Sequence, residues 1–263
     1  MCRILGYFGP PILLDYVLSK PEHSLIVQSY QPREMTSGVV SADGFGVGWH
    51  HAQRDTDAFV YKNTLPIWGD LNLENLSRYI ESGCILANVR SATGGQSVDL
   101  SNCQPFRNQR ILFTHNGFIK NFRKTLYRPI RERLNDTAYQ AIDGTTDSEH
   151  IFALFNTQLS ADPDLSLKDA LQTTLSTVSD LATSHETDAS LNIIVSDKHQ
   201  MVASRFSTKS PAPSLYWLRD DPTFPDAVII ASEPMFAGGN WNRFPENSIL
   251  TVGENLDINI DQL

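Results

Sequence analysis

Two long amphipathic stretches sit in the middle of the chain, with strand-length apolar runs on either side. Ile151, Leu154, Phe155 and Leu159 fall on one helical face, and Leu167, Leu171, Leu175, Val178 and Leu181 on another. Both follow the 3.6-residue spacing of a helix with one buried side. Ahead of this block, residues 3–8, 45–50, 58–62, 84–92 and 110–115 read as strands, with a helical run over 71–82. Behind it, residues 190–196, 201–206, 227–231 and 248–252 read as strands again. The strict βαβα alternation of a doubly wound parallel sheet is missing. The order therefore predicts an α+β fold with two antiparallel sheets and helices packed outside them. No repeat and no Pro/Gly-rich linker divides the 263 residues, so a single domain over residues 2–263 is expected.

Apolar residues make up 41% of the chain and charged residues 19%, a composition that can bury a sizeable core. Lys and Arg number 21 against 30 Asp and Glu, for a net charge of −9. That balance argues against a nucleic-acid partner and against an anionic membrane surface. No apolar run is long enough to span a bilayer. The N-terminal apolar run is cut by Gly6, Gly9, Pro10, Pro11 and Asp15, unlike a signal peptide. Cys2, Cys84 and Cys103 form no C-x-x-C pair, which excludes a disulfide scaffold, a zinc ribbon and a dithiol redox motif. An odd cysteine count points to a reducing compartment, so a cytoplasmic location is expected. His50 and His51 are adjacent and would face opposite sides of a strand, and His115 and His150 lack a ligand spacing. No metal and no organic cofactor is expected. The glycines of Asp43-Gly-Phe-Gly-Val-Gly48 do not match G-x-G-x-x-G and suit close sheet packing instead.

Cys2 carries the most chemical information. Removal of Met1 would give it a thiol and a free α-amine on one residue. An α-amine with a pKa near ~8 can take the thiol proton near neutrality, so nucleophile and base would share one residue. The competing reading is a small core residue at the start of a strand.

Three further segments carry candidate residues: Asn88-Val-Arg-Ser-Ala-Thr93 and His115-Asn-Gly117 at strand ends, and Thr146-Asp-Ser-Glu149 at a helix start. Each has an ordinary structural reading. Asn116-Gly117 is a strong hairpin signal, Thr146 with Glu149 matches a capping box, and Arg90 reads equally as a surface arginine. Together they supply the parts needed to cut a γ-glutamyl amide. The Asn116 amide and the Gly117 N–H can face a developing oxyanion. Arg90 can hold an α-carboxylate through a bidentate pair, and Asp147 an α-ammonium.

The N-terminal Met-Cys, Val89-Arg-Ser-Ala-Thr93, His115-Asn-Gly117 and Thr146-Asp-Ser-Glu149 resemble, in order, the motifs of the class II glutamine amidotransferases. These are a branch of the N-terminal nucleophile hydrolases. The resemblance implies Cys2 as nucleophile, Asn116 and Gly117 as oxyanion hole, and Arg90, Thr93 and Asp147 around the glutamyl group. It also implies an αββα four-layer sandwich and removal of Met1. Arg33 is a candidate second contact to the glutamyl carboxylate, with a solvated arginine as the alternative.

Pro21-Glu-His-Ser-Leu-Ile-Val-Gln-Ser29, Ala42-Asp-Gly-Phe-Gly-Val-Gly-Trp49, Pro66-Ile-Trp68, Asn102-Cys-Gln-Pro-Phe106 and Ala231-Ser-Glu-Pro234 look like one subgroup, the γ-glutamyl hydrolases of ergothioneine biosynthesis. That similarity implies hydrolysis of γ-glutamyl-hercynylcysteine sulfoxide, a small-molecule substrate, with release of glutamate. If the leaving group carries a trimethylammonium, Trp68, Phe106 or Trp49 could meet it through an aromatic face. Ammonia-channelling members often carry histidine after the threonine that aligns with Thr93, where this chain has Gly94. The length also leaves little room for a fused synthase. A free-standing hydrolase is the expectation, with a homo-oligomer left open. The alternatives are a glutaminase subunit serving a separate synthase, a hydrolase of glutathione-type γ-glutamyl peptides, and a catalytically silent binding protein.

Overall fold

The computed structural model describes residues 2–35, 38, 40–51, 53, 56–92, 97–209 and 211–263. The chain begins with β1 (Arg3–Leu13), α1 (Asp15–Leu18), α2 (Leu25–Tyr30), β2 (Phe45–Trp49), β3 (Phe59–Asn63), α3 (Leu71–Ser77) and β4 (Glu81–Val89). It continues through β5 (Phe106–Asn108), β6 (Ile111–Ile119), α4 (Tyr127–Arg131), α5 (Asp136–Gln140), α6 (Asp147–Ala161) and α7 (Leu167–Ser184). It closes with β7 (Ala189–Ser196), β8 (Met201–Arg205), β9 (Tyr216–Asp221), β10 (Phe224–Ala231), β11 (Asn242–Arg243), β12 (Ser248–Val252) and β13 (Ile258–Gln262).

The strands form two antiparallel sheets. One is seven-stranded in the order β11-β9-β10-β1-β4-β2-β3, the other six-stranded in the order β13-β12-β8-β7-β6-β5. Residue alternation sends each strand's side chains to two different layers. On β1 and β4, Ile4, Phe8, Cys84 and Leu86 meet Leu112 and Ile194 of the other sheet in a shared apolar layer. The intervening Leu5, Tyr7, Ile85 and Ala87 pack outward on Val17, Leu18, Leu25 and Leu73 of the α1–α3 segment. On the second sheet, Phe113, Leu191 and Ile193 pack outward on Ile151, Leu154, Phe155, Leu171 and Leu175 of α6 and α7. The result is the expected αββα sandwich.

Both central helices start at side-chain caps. The Thr146 hydroxyl accepts the Glu149 N–H at 3.2 Å, and the Ser166 hydroxyl accepts the Asp169 N–H at 3.1 Å. His150 ties α6 to α4: its Nδ1–H donates to the Thr146 carbonyl at 2.8 Å and its Nε2 accepts from Arg131 Nε at 2.9 Å. Burial holds this ring neutral, with its pKa pushed down to about 4. β1 runs beyond the predicted residues 3–8 because it resumes past Pro10 and Pro11. Neither proline has an N–H for the ladder, and pairing with β4 skips from Phe8 to Ile12. Among the described residues, no helix is long and apolar enough to cross a membrane.

Candidate active site

The site lies where the first residues of β1 meet the end of β4. Arg3 pairs with Val89 in the β1–β4 register, so Cys2 comes beside Arg90 and Ser91. The Ser91 N–H approaches Cys2 Sγ at 3.5 Å, and the thiol faces the Ser91 carbonyl at 3.8 Å. Burial pushes the Cys2 thiol up; the Ser91 contact and the Arg90 charge pull it down, and the Asp147 charge pushes it up. The net direction is upward, which favours the thiol over the thiolate. Arg90 and Asp147 are thus both close enough to act on the sulfur.

Arg90 is buried and held by its backbone and side chain together. Its N–H donates to the Gly44 carbonyl at 2.8 Å, its carbonyl accepts the Asp43 N–H at 3.0 Å, and Nη1 donates to the Asp43 carbonyl at 3.2 Å. The Asp43 carboxylate also accepts the Ala92 N–H at 2.8 Å. The 42–49 segment therefore fixes the loop that carries Arg90.

His115, Asn116 and Gly117 do not end a strand and do not form a hairpin. They lie inside β6, which runs on to Ile119 in unbroken register with β7. N–H groups two residues apart on a strand point to the same edge. On the edge facing away from β7, the His115 N–H donates to Gln104 Oε1 at 2.5 Å and the Ile119 N–H to Asp147 Oδ2 at 2.7 Å. β5 pairs only with Ile111–Phe113 on this edge. The Gly117 N–H thus points out of that same edge, between the N–H groups held by Gln104 and Asp147. The Asn116 side chain is fully buried, and neither its Nδ2 nor its Oδ1 has a partner among the described residues. Two donors can therefore meet an oxyanion here.

The need for glycine at 117 has a physical basis that sequence reasoning did not supply. A Cβ there would strike the Ser190 carbonyl oxygen and come within 2.6 Å of His115 Nε2. Those two groups are hydrogen-bonded at 3.1 Å, and His115 Nδ1 pairs with the Ser148 hydroxyl at 2.8 Å. The carbonyl can only accept, so Nε2 carries the proton and Nδ1 accepts from Ser148. Burial lowers the His115 pKa, in keeping with a neutral ring that links β6, β7 and α6.

Asp147 opens α6, and its other oxygen accepts the Ser148 N–H at 2.9 Å. Glu149 does not complete a reciprocal capping box. Its carboxylate accepts the N–H groups of Asp143 and Gly144 at 3.0 and 2.7 Å, which folds the turn that delivers Asp147. Arg33 is placed differently from Arg90: its side chain is exposed, and it is its backbone N–H that is fixed, on Glu233 at 2.8 Å. Thr93 and Gly94 lie outside the described residues. Of the three aromatic candidates, Phe106 is buried and stacked on Phe152 at 5.7 Å, and Trp49 stacks on Phe59 at 6.0 Å. Trp68 is the exposed one and meets Tyr30 edge-on at 5.6 Å.

A buried charge cluster behind Cys2 escaped sequence reasoning. Glu233 and Arg3 are both fully buried, with Arg3 Nε 3.2 Å from Glu233 Oε1. Arg3 Nη1 donates to the Cys2 carbonyl at 3.3 Å. His23 Nε2 meets the second Glu233 oxygen at 2.7 Å, and the N–H groups of Arg33 and Glu34 donate to the same carboxylate at 2.8 and 3.0 Å. Burial alone would raise the Glu233 pKa. The His23 bond, the two N–H donors and the Arg3 charge more than reverse this and hold it below the usual carboxylate value. The visible signal was a charged residue, Arg3, opening an apolar strand. No group of three or more His, Cys, Asp and Glu side chains among the described residues could hold a metal ion.

The family of glutamine amidotransferases class-II matches this chain over residues 17–254. The "Probable glutamine amidotransferase DUG3" of Saccharomyces cerevisiae is 30% identical over 293 aligned positions, covering 96% of this chain and 82% of the yeast protein. The γ-glutamyl-hercynylcysteine sulfoxide hydrolase of Mycolicibacterium smegmatis is 30% identical over 253 positions, covering 96% of each chain. The solved structure of a glutamine aminotransferase class-II domain protein from Silicibacter pomeroyi superposes with a TM-score of 0.71 at 24% identity, over 100% of this chain and 99% of that one. With the motif-bearing segments gathered at one end of the same sandwich, the chain belongs to the class II glutamine amidotransferase family.

Proposed function

We propose that this protein hydrolyses γ-glutamyl amide bonds with Cys2 as an N-terminal nucleophile. The observation that carries the reading is the convergence of four segments. The Cys2 thiol lies within electrostatic reach of Arg90 and Asp147, and Asp147 is hydrogen-bonded to the strand that bears Asn116 and Gly117. With Met1 removed, the Cys2 amine takes the thiol proton and the sulfur attacks the γ-carbonyl. Asn116 Nδ2 and the Gly117 N–H receive the oxyanion, while Arg90 and Asp147 hold the α-carboxylate and α-ammonium of the glutamyl group. The C–N bond breaks as the amine returns its proton to the leaving nitrogen. Water then cleaves the γ-glutamyl thioester, freeing glutamate and the thiol.

The substrate we favour is γ-glutamyl-hercynylcysteine sulfoxide, on the strength of the mycobacterial relative's similarity along nearly its whole length. The test is glutamate release from that compound, glutathione and glutamine at equal concentrations, with Cys2→Ala as the blank. Preference for the sulfoxide is expected. Preference for glutamine would move the protein to ammonia supply for a separate synthase, and turnover retained in Cys2→Ala would refute the mechanism.

A further inference from the structure

Between the two sheets the packing turns from apolar to polar towards the Cys2 end. Residues two apart on a strand share a face. Leu86, Leu112 and Ile194 belong to the shared inter-sheet layer, so Asn88 on β4, Asn116 on β6 and Asn192 on β7 point into the same interior. Asn88 stands opposite Ile4 in the β1–β4 register, and Asn116 opposite Asn192. All three asparagines are fully buried. Asn192 is fixed through Nδ2, which donates to the carbonyls of Pro213 and Ser214 at 3.1 and 3.2 Å. Asn88 and Asn116 are not: Nδ2 and Oδ1 of each lack a partner among the described residues. β4 lies against β6 across the interior, so the two amides sit on facing sheets, and they are not hydrogen-bonded to one another.

A buried amide left unpaired is destabilising, and a leucine or valine would fill an interior strand position without that penalty. We propose that Asn88, on the sheet opposite Asn116, receives the N–H of the scissile amide through its Oδ1 and so makes the site selective for amides over esters. This assignment rests on the γ-glutamyl hydrolase reading. A trans secondary amide has its one acceptor and its one donor in its own plane, pointing in opposite directions. Its carbonyl meets Asn116 Nδ2, and its N–H meets Asn88 Oδ1. An ester offers the first contact and lacks the second. During acylation the S–C bond forms and the C–N bond breaks. Asn88 holds the departing nitrogen by its N–H, so that its lone pair is turned to the proton on the Cys2 amine.

The test is single-turnover acylation of the full mature chain by γ-glutamylmethylamide and by glutamate γ-methyl ester, read as methylamine or methanol release. Asn88→Leu is expected to slow acylation by the amide about 10- to 100-fold, the value of one substrate hydrogen bond, and to leave the ester rate nearly unchanged. Asn88→Ser, which keeps a smaller polar group, should fall between wild type and leucine in amide-to-ester ratio, and it serves as the readout if the leucine variant does not fold. A ratio unchanged from wild type, including equal slowing of both substrates, overturns the role of Asn88. Failure of the hydrolase reading shows separately, as wild type releasing glutamate from neither compound, and would take this assignment with it.

Discussion

Replacing Glu233 by alanine tests whether the buried cluster behind Cys2 is a structural necessity of the site. The carboxylate and Arg3 are both fully shielded from water, 3.2 Å apart. Without Glu233, the buried Arg3 guanidinium would lose the carboxylate that faces it. Breaking such a pair from one side costs about 3–5 kcal/mol. The N–H groups of Arg33 and Glu34 and the His23 ring lose their acceptor as well, so about 4 kcal/mol is a fair central figure. A domain holds only about 5–15 kcal/mol in total. Urea unfolding should therefore show a large fall in midpoint. Glutamate release should also fall, because Arg3 Nη1 holds the Cys2 carbonyl. The double variant Arg3→Met, Glu233→Leu removes both charges and keeps the volume, so it should recover the part of the loss that comes from the stranded charge. A Glu233→Ala variant within about 1 kcal/mol of wild type, or a double variant no more stable than Glu233→Ala alone, would refute the uncompensated-charge argument.

Asn116→Ala should lower kcat about 10²–10³-fold, the loss seen for one oxyanion donor, with binding of a glutamate-like inhibitor retained in calorimetry. Gly117→Ala should be more damaging than an ordinary strand substitution, because the added methyl wedges the His115–Ser190 bond; a melting curve matching wild type would contradict this. Acid should weaken the fold before the carboxylates titrate. Burial takes His50 and His150 from 6.5 down to about 4, so between those values the unfolded chain binds more protons than the native one. That stability is present above about pH 6.5 and is lost as pH falls towards 4, at about 1.4 kcal/mol per histidine by pH 5.5. Urea midpoints from pH 7.5 to 4.5 read the slope, and His50→Phe should flatten it.

The sequence made the architecture legible where one physical rule dominated. The faces of α6 and α7 followed helical periodicity, and Ile151, Leu154, Phe155, Leu171 and Leu175 are indeed buried. β13 was invisible because it is an edge strand whose residues are mostly exposed, so no apolar alternation marks it. β9 was missed because charge interrupts it: Arg219, Asp220 and Asp221 close a run that begins Tyr-Trp-Leu. Asn116-Gly117 shows a local signal overruled by tertiary context. A hairpin dipeptide lies flat inside β6, where β7 supplies partners along its whole length. At the site, the four motif segments were readable because each combines a reactive group with a recognisable local setting. The buried pairing of Glu233 and the unpaired amide of Asn88 were not readable, since each is defined only by what stands opposite it.

The place of β1 has a consequence for how the protein is made. The strand that follows Cys2 is not at an edge; it lies between β4 and β10. A ribosome delivers β1 first and the end of β10, at Ala231, near the close of synthesis. Through most of translation one flank of β1 has no neighbour, and the nascent chain cannot yet enclose Cys2. On the mechanism proposed above, an aminopeptidase acting on Met1 would have its easiest access before the sheet closes, and the timing of that cut relative to folding would set how much of the protein becomes active.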